Sequence, residues 1–274
     1  MESKQVVVVI PVYKEKMSEI DYLSFQQCLN VLRKHEIVIL TYQGLSIVNY
    51  LKVCADCHKS VKVEYFDCAY FKSVVGYNKL MLSNIFYSRF LEYEYIFIYQ
   101  LDAFVFRDEL EYWCNLGYDY IGAPWLRIDK KGHLSLYGVG NGGFSLRRVQ
   151  YCVKVLRYPA WLPFLHPLFL IRDCSTVKAA LMLLFAVLGY HNCLKTYING
   201  ARMVNEDILF GHFTVNSWLT CNIPEPDVAM KFSFERNPSY LFHLNNNKLP
   251  FGCHAFEKYE YTSFWEKYIK ALNI

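Results

Sequence analysis

Residues 5–12 read QVVVVIPV and residues 95–106 read YIFIYQLDAFVF. Each begins as a continuous apolar run rather than an alternating one, the pattern of a strand buried on both faces of a parallel sheet. Between them, helical and strand-like stretches take turns. Ser18 to Lys34 carries Ile20, Leu23, Cys28, Leu29, Val31 and Leu32 at helical spacing; Glu36 to Thr41 and Val61 to Phe66 read as strands, Ile47 to Cys54 and Val75 to Leu91 as helices. This repeated βα pattern predicts an α/β fold, a mixed sheet flanked by helices. In such sheets ligands bind beyond the carboxyl ends of the strands, so chemistry is expected at Tyr13 to Lys16, Asp67 to Lys72 and from Asp102 onward.

The second half changes character, with short strands around Tyr118 to Ala123 and Gly143 to Leu146, a long apolar segment, and a C-terminal region of aromatic and polar runs. No Gly/Ser linker separates the halves. The reading is one domain over residues 1–274, with a first half at 1–105 and a second at 106–274 that carries an apolar insertion at about 160–200.

Composition narrows the function classes. The 274 residues include 54% hydrophobic and 18% aromatic side chains, and 29 Lys and Arg stand against 25 Asp and Glu, a net charge of +4. That excludes a disordered tail, a collagen-like repeat and a coiled coil. Basic residues are scattered in ones and twos and no groove-reading motif occurs, so nucleic acid is not the expected partner. The ten cysteines sit mostly in apolar runs and no signal-peptide pattern opens the chain, which points to free thiols in a reducing cytosol. Cys54-Ala-Asp-Cys57-His58 lacks the second ligand pair that a zinc site needs. The uncharged run Ala179 to Leu194 is too short to span a bilayer comfortably; with the apolar residues from Trp161 it suits peripheral membrane contact, a buried helix or an oligomer contact.

Four places carry candidate chemistry. Asp102 stands where an apolar strand ends, free to meet a cation or a ribose hydroxyl, or to cap its own turn. Gly138-Val-Gly-Asn-Gly-Gly-Phe-Ser-Leu-Arg147 has four glycines in six positions, a density that permits positive φ and close backbone approach to a ligand, with neither Walker nor dinucleotide spacing. Asn205-Glu206-Asp207 opens a short helix, where a carboxylate serves either the helix dipole or a reaction as general base. His254, in PFGCHAF, is a core histidine or the nitrogen ligand of a metal otherwise held by oxygens.

Taken in order, VVVVIPVYKE, LDAF, GNGGFSL, NED and PFGCHAF resemble the shared core of GT-A-fold glycosyltransferases: first strand, DxD motif, glycine loop, xED motif and C-terminal histidine. YQLDAFVF, GYDYIGAPW, GNGGFSLR and PFGCHAF are similar, more closely, to a bacterial family of unknown function regarded as glycosyltransferases. The resemblance implies transfer of a sugar from a nucleotide-diphosphate sugar to a hydroxyl of a glycan or glycolipid, with inversion, in surface-polysaccharide synthesis at the inner face of the membrane. It implies a nucleotide site at Pro11, Tyr13, Glu15, Asn78, Lys79 and Asp102. A sugar and acceptor wall follows at Trp125, Asn141, Gly142, Gly143 and Phe144. Asp207 is the implied base, assisted by Glu206, and Asp102 and His254 the implied holders of Mn²⁺ or Mg²⁺. One departure stands out: Gln100-Leu-Asp102-Ala-Phe104 offers one carboxylate where a DxD motif has two. A nucleotidyltransferase on the same sheet and a catalytically silent glycan-binding module stay open beside the transferase.

Overall fold

The computed structural model describes residues 4–157, 175–188, 194–199 and 204–272. The chain runs β1 (Lys4–Pro11), α1 (Glu19–Val31), β2 (Glu36–Tyr42), α2 (Val48–Asp56), β3 (Lys62–Phe66), α3 (Val74–Met81), α4 (Asn84–Ser88) and β4 (Tyr93–Tyr99). It continues through β5 (Phe104–Val105), α5 (Leu110–Asn115), β6 (Tyr120–Ile121), β7 (Pro124–Ile128), β8 (Leu134–Val139), β9 (Phe144–Arg148) and α6 (Val149–Arg157). Helices Thr176–Val187, Lys195–Asn199, Pro226–Phe232 and Pro238–Leu244 follow, with the short strands β10 (Ser233–Phe234) and β11 (Gly252–Cys253).

The main sheet has the order β3-β2-β1-β4-β9-β6, parallel from β3 to β4 and antiparallel at β9 and β6. Strands of both halves thus share one sheet, a mixed α/β arrangement as expected. Val7 to Ile10 and Ile96 to Tyr99 are fully buried, which is why those runs are uninterrupted by polar residues. Where β9 joins β4, Phe144 sits opposite Tyr99, and its ring packs against Phe97, Phe232 and Phe251 at 4.8–5.3 Å. Much of the aromatic excess fills this core.

Two expected boundaries move. The helix expected over 75–91 is broken into α3 and α4, because the Ser83 side chain accepts from the Phe86 backbone N–H and starts a new helix. The strand expected to reach Leu101 stops at Tyr99, where Gln100 to Ala103 form a turn closed by Ala103 N–H to the Gln100 carbonyl. A second sheet, β10-β11-β5, packs over a smaller core of Phe104, Phe234, Phe256 and Trp265. Its role is to carry residues 235 and 254 to the end of β4.

The expected apolar insertion and the stretch from Trp161 lie largely outside the described residues, apart from helices Thr176–Val187 and Lys195–Asn199. No helix among the described residues is long and apolar enough to cross a membrane. The described cysteines are all free.

Candidate active site

Strand order reverses between β1 and β4, since the chain leaves β1 toward β2 on one side and returns through β4 on the other. A crevice forms at such a switch point. Here it is a cavity of about 1080 Å³ at the carboxyl ends of β1 and β4.

From β1 the cavity receives Pro11, then Tyr13, whose ring is half exposed with the Lys14 ammonium 5.6 Å from its centre. Lys14 is steadied by Asp21 at 2.9 Å, and Asp21 closes a capping box with Ser18 at the start of α1. Asn78 comes from α3; its amide donates to Asn205 Oδ1 at 3.1 Å and its oxygen accepts the Glu206 N–H at 3.2 Å. Asn78 therefore ties α3 to the acidic turn while touching the cavity.

The glycine loop works through close approach, since positive φ among the described glycines is confined to Gly44, Gly117 and Gly132. A Cβ on Gly140 would stand 2.1 Å from the Trp125 ring, and one on Gly143 would stand 2.0 Å from His254 Nε2. Asn141 alone in this loop takes a left-handed backbone, φ 63°. That geometry aims its N–H at Asp207 Oδ2, 2.9 Å away. Trp125 lines the cavity, roughly parallel to Tyr137 at 6.5 Å.

Asp207 and Glu206 are adjacent and differ sharply. Glu206 is buried and takes 3.0 Å contact from Arg147, which is wholly buried on β9 and also donates to Ser145, Tyr87 and the Gly142 carbonyl. This pair is a buried strut under the glycine loop. Among the described residues, Asp207 accepts only from backbone N–H groups, those of Asn141 and Ile208. Burial and then the Glu206 charge raise its carboxyl to about 6, against the pull of those two donors.

At the opposite wall, Asp102 Oδ1 lies 3.3 Å from His254 Nε2, and Gln100 Oε1 also lies 3.3 Å from that nitrogen. Burial alone would lower the His254 pKa, but Asp102 and Glu235 on its two sides raise it to about 10. Burial alone would raise Asp102; the His254 contact outweighs this and holds it below the usual carboxylate range. Among the described residues, no group of three or more His, Cys, Asp or Glu side chains is arranged to hold a metal ion. The donors available at this wall are Asp102, His254 and the Gln100 amide oxygen.

Three expected residues lie elsewhere. Phe144 is fully buried in the core and does not wall the cavity. Lys79 is exposed on α3, on a side that does not line the cavity. Glu15 is likewise outside the lining, with its carboxylate toward the Ser46 N–H. In their place the cavity gathers Lys14, Lys72, Gln100, Glu235 and Arg236. Lys72 falls in the loop after β3 that strand topology marks for ligands; Glu235 and Arg236 had no sequence signal, because a separate small sheet brings them in.

A family profile described as a protein of unknown function, DUF5672, matches residues 60–254. The chain belongs to the DUF5672 family. No curated protein matches it. In three dimensions this DUF5672 protein is similar to the galactosyltransferase LgtC in complex with donor and acceptor sugar analogs, at 13% identity and TM-score 0.52, over 97% of this chain and 94% of that one. An active-site mutant of LgtC aligns at 15% identity and TM-score 0.52, over 97% and 95%. The DUF5672 chain thus has the GT-A fold.

Proposed function

We propose that this DUF5672 protein is an inverting glycosyltransferase that moves a sugar from a nucleotide-diphosphate sugar to a hydroxyl of a glycan or lipid-linked acceptor. The observation that carries this reading is Asp207: a carboxylate aimed by a backbone N–H into the crevice of a GT-A fold, with a pKa of about 6. Such a group is ionised at neutral pH, yet basic enough to take an acceptor proton. As the acceptor oxygen attacks the anomeric carbon, its proton passes to Asp207 Oδ and the bond to the nucleoside diphosphate breaks. Displacement from one face inverts the centre.

The other residues divide the remaining work. Pro11, Tyr13 and Lys14 border the nucleotide side, and Lys72 faces the diphosphate as a screened cation. Trp125, Asn141, Gly142 and Gly143 wall the sugar, the indole offering a stacking face. Glu206 assists by holding the loop through Arg147. A divalent ion at Asp102 and His254 would supply positive charge to the leaving diphosphate. Gly143 lets the His254 ring approach the loop, since any Cβ there would stand 2.0 Å from Nε2.

Peripheral contact with the inner face of a membrane belongs to the same reading, as does a part in surface-polysaccharide synthesis. Residues 149–205 carry six Lys and Arg against one acid, Asp173. Within that span the helix Thr176–Val187 exposes Val177, Leu181 and Leu184. Basic and apolar residues together suit an anionic lipid surface.

The test is nucleotide-sugar binding and turnover in Asp207→Asn. Binding kept with transfer lost supports the base; unchanged transfer refutes it.

A further inference from the structure

We propose that the exposed turn at 214–220 is a membrane anchor, with Trp218 as its inserting side chain and Lys154, Arg157 and Lys195 as the cations that meet anionic lipid headgroups. This rests on the lipid-linked acceptor of the proposed reaction for its purpose and on local geometry for its chemistry.

Leu209–Phe213 is a wide helical turn that begins two residues after Asp207 and leads away from the cavity wall. The ring of His212 lies 6.1 Å from Trp125 and 5.7 Å from Tyr137, both of which line the cavity. Two helices brace the outer end. Tyr197, in helix Lys195–Asn199, sets its ring perpendicular to Phe213 at 4.8 Å, and Tyr151 of α6 donates to Thr214 Oγ1 at 2.6 Å. Beyond Thr214, the Ser217 hydroxyl donates to the Thr214 carbonyl at 2.7 Å and accepts the Leu219 N–H at 3.1 Å, which fixes the shape of the turn. That shape sends Trp218 outward. At 79% it is the most exposed large apolar side chain among the described residues, and Val215 in the same turn is 52% exposed. An indole held in water adds little to folding, whereas at a bilayer its ring inserts at headgroup level and its N–H stays hydrated.

The surroundings of the turn are basic. Along α6, Gln150, Lys154 and Arg157 are exposed and the residues between them are buried, so the two cations share one face. Burial raises the pKa of the Cys221 thiol, and the Lys154 ammonium pulls against it, which places that cation close to the end of the turn. Lys195 is exposed at the start of the helix that carries Tyr197. The Asp119 carboxylate, which receives the Asn222 N–H at 2.8 Å, is offset by Arg148 at 3.2 Å. An outward indole bordered by cations complements a bilayer that is apolar within and anionic at its surface. A second copy of this chain would set the same cations against one another. Because His212 ties the inner end of this segment to Trp125 and Tyr137, docking here brings the sugar side of the cavity to the lipid surface.

The experiment sediments the full-length protein with vesicles of phosphatidylcholine, with and without phosphatidylglycerol, for wild type, Trp218→Ser and Lys154→Gln combined with Arg157→Gln. Wild type is expected to bind the anionic vesicles and to bind the neutral ones far more weakly. Trp218→Ser should bind the anionic vesicles about tenfold more weakly, the loss of one inserted ring. The double variant should lose about 25-fold, roughly fivefold for each cation. Equal binding by Trp218→Ser overturns the proposal and leaves membrane contact to helix Thr176–Val187. No wild-type binding to anionic vesicles, or equal binding to both kinds, overturns it as well. So does a concentration-dependent dimer in light scattering that Trp218→Ser abolishes, since a second copy would then be the occupant. With its ring exposed, Trp218→Ser should unfold at the wild-type temperature; a marked loss of stability would show the indole packed within the chain and overturn the proposal. Nucleoside-diphosphate release with a soluble acceptor, followed without lipid, should be equal in wild type and Trp218→Ser. A fall confined to the variant would place the ring in the acceptor site and overturn the anchor. Absence of release in both refutes the transferase and leaves vesicle binding standing, so the two readings fail separately.

Discussion

Replacing Asp207 by Asn removes a carboxyl group whose pKa is raised from an ordinary 3.8 to about 6 by burial and by Glu206. A carboxyl with a raised folded-state pKa holds its proton more tightly in the folded chain. Its contribution to stability is present below about pH 4 and lost as pH rises through 6. Two pKa units correspond to about 3 kcal/mol, roughly half of it falling between pH 5 and pH 8. The substitution abolishes this term. It also turns one oxygen that accepts from Asn141 or Ile208 into an NH₂ group, a loss of about 1–3 kcal/mol at every pH. The absolute effect of Asp207→Asn is therefore small at pH 8. Its pH dependence is diagnostic: relative to wild type, the variant gains about 1.5 kcal/mol between pH 5 and pH 8. Urea unfolding of both proteins at several pH values measures this directly. A difference that stays flat with pH, or moves the other way, refutes the buried high-pKa carboxylate, and with it the case for Asp207 as base.

Further outcomes follow from the same geometry. Arg147→Met strands Glu206 beneath the glycine loop and is expected to lower urea-measured stability by about 3–5 kcal/mol, while Arg147→Met combined with Glu206→Met loses much less. Gly143→Ala forces His254 and Gln100 aside; calorimetry should show about 1–3 kcal/mol of destabilisation, and nucleotide-sugar turnover should fall with it. Lys72→Ala should weaken nucleoside-diphosphate binding about fivefold, ~1 kcal/mol, in low salt, whereas Lys79→Ala should leave it unchanged in the same titration.

How much of this was legible in the sequence depends on the range of the interaction. Val6 to Ile10 and Tyr95 to Tyr99 announce buried strands because burial on both faces leaves no room for polar residues, and the βα alternation then places ligands at the ends of β1 and β4. Asp102, Asn141, Asp207 and His254 were readable because each sits in a short run of unusual composition. The density of the glycines was visible, but that Gly140 makes way for Trp125 and Gly143 for His254 depends on partners far along the chain. Phe144 looked like a ligand wall because it follows the glycines, yet the alternation of a strand turns it into the core beside Phe97. Lys79 misled for a similar reason: its neighbour Asn78 faces the cavity, and adjacent helix residues point about 100° apart. Glu235 was invisible because a two-residue strand pairing, without any sequence motif, carries it to His254.

The central claim is tested most directly by incubating the protein with a panel of nucleotide-diphosphate sugars, with and without Mn²⁺, while following thermal stability and the leaving product. Ligand at a hundredfold its Kd stabilises the folded state by about 2.7 kcal/mol. The expected result is a rise in Tm with at least one donor and release of the corresponding nucleoside diphosphate when an acceptor is added. Release of pyrophosphate instead, or stabilisation by oligosaccharide with none by any nucleotide sugar, would contradict a glycosyltransferase.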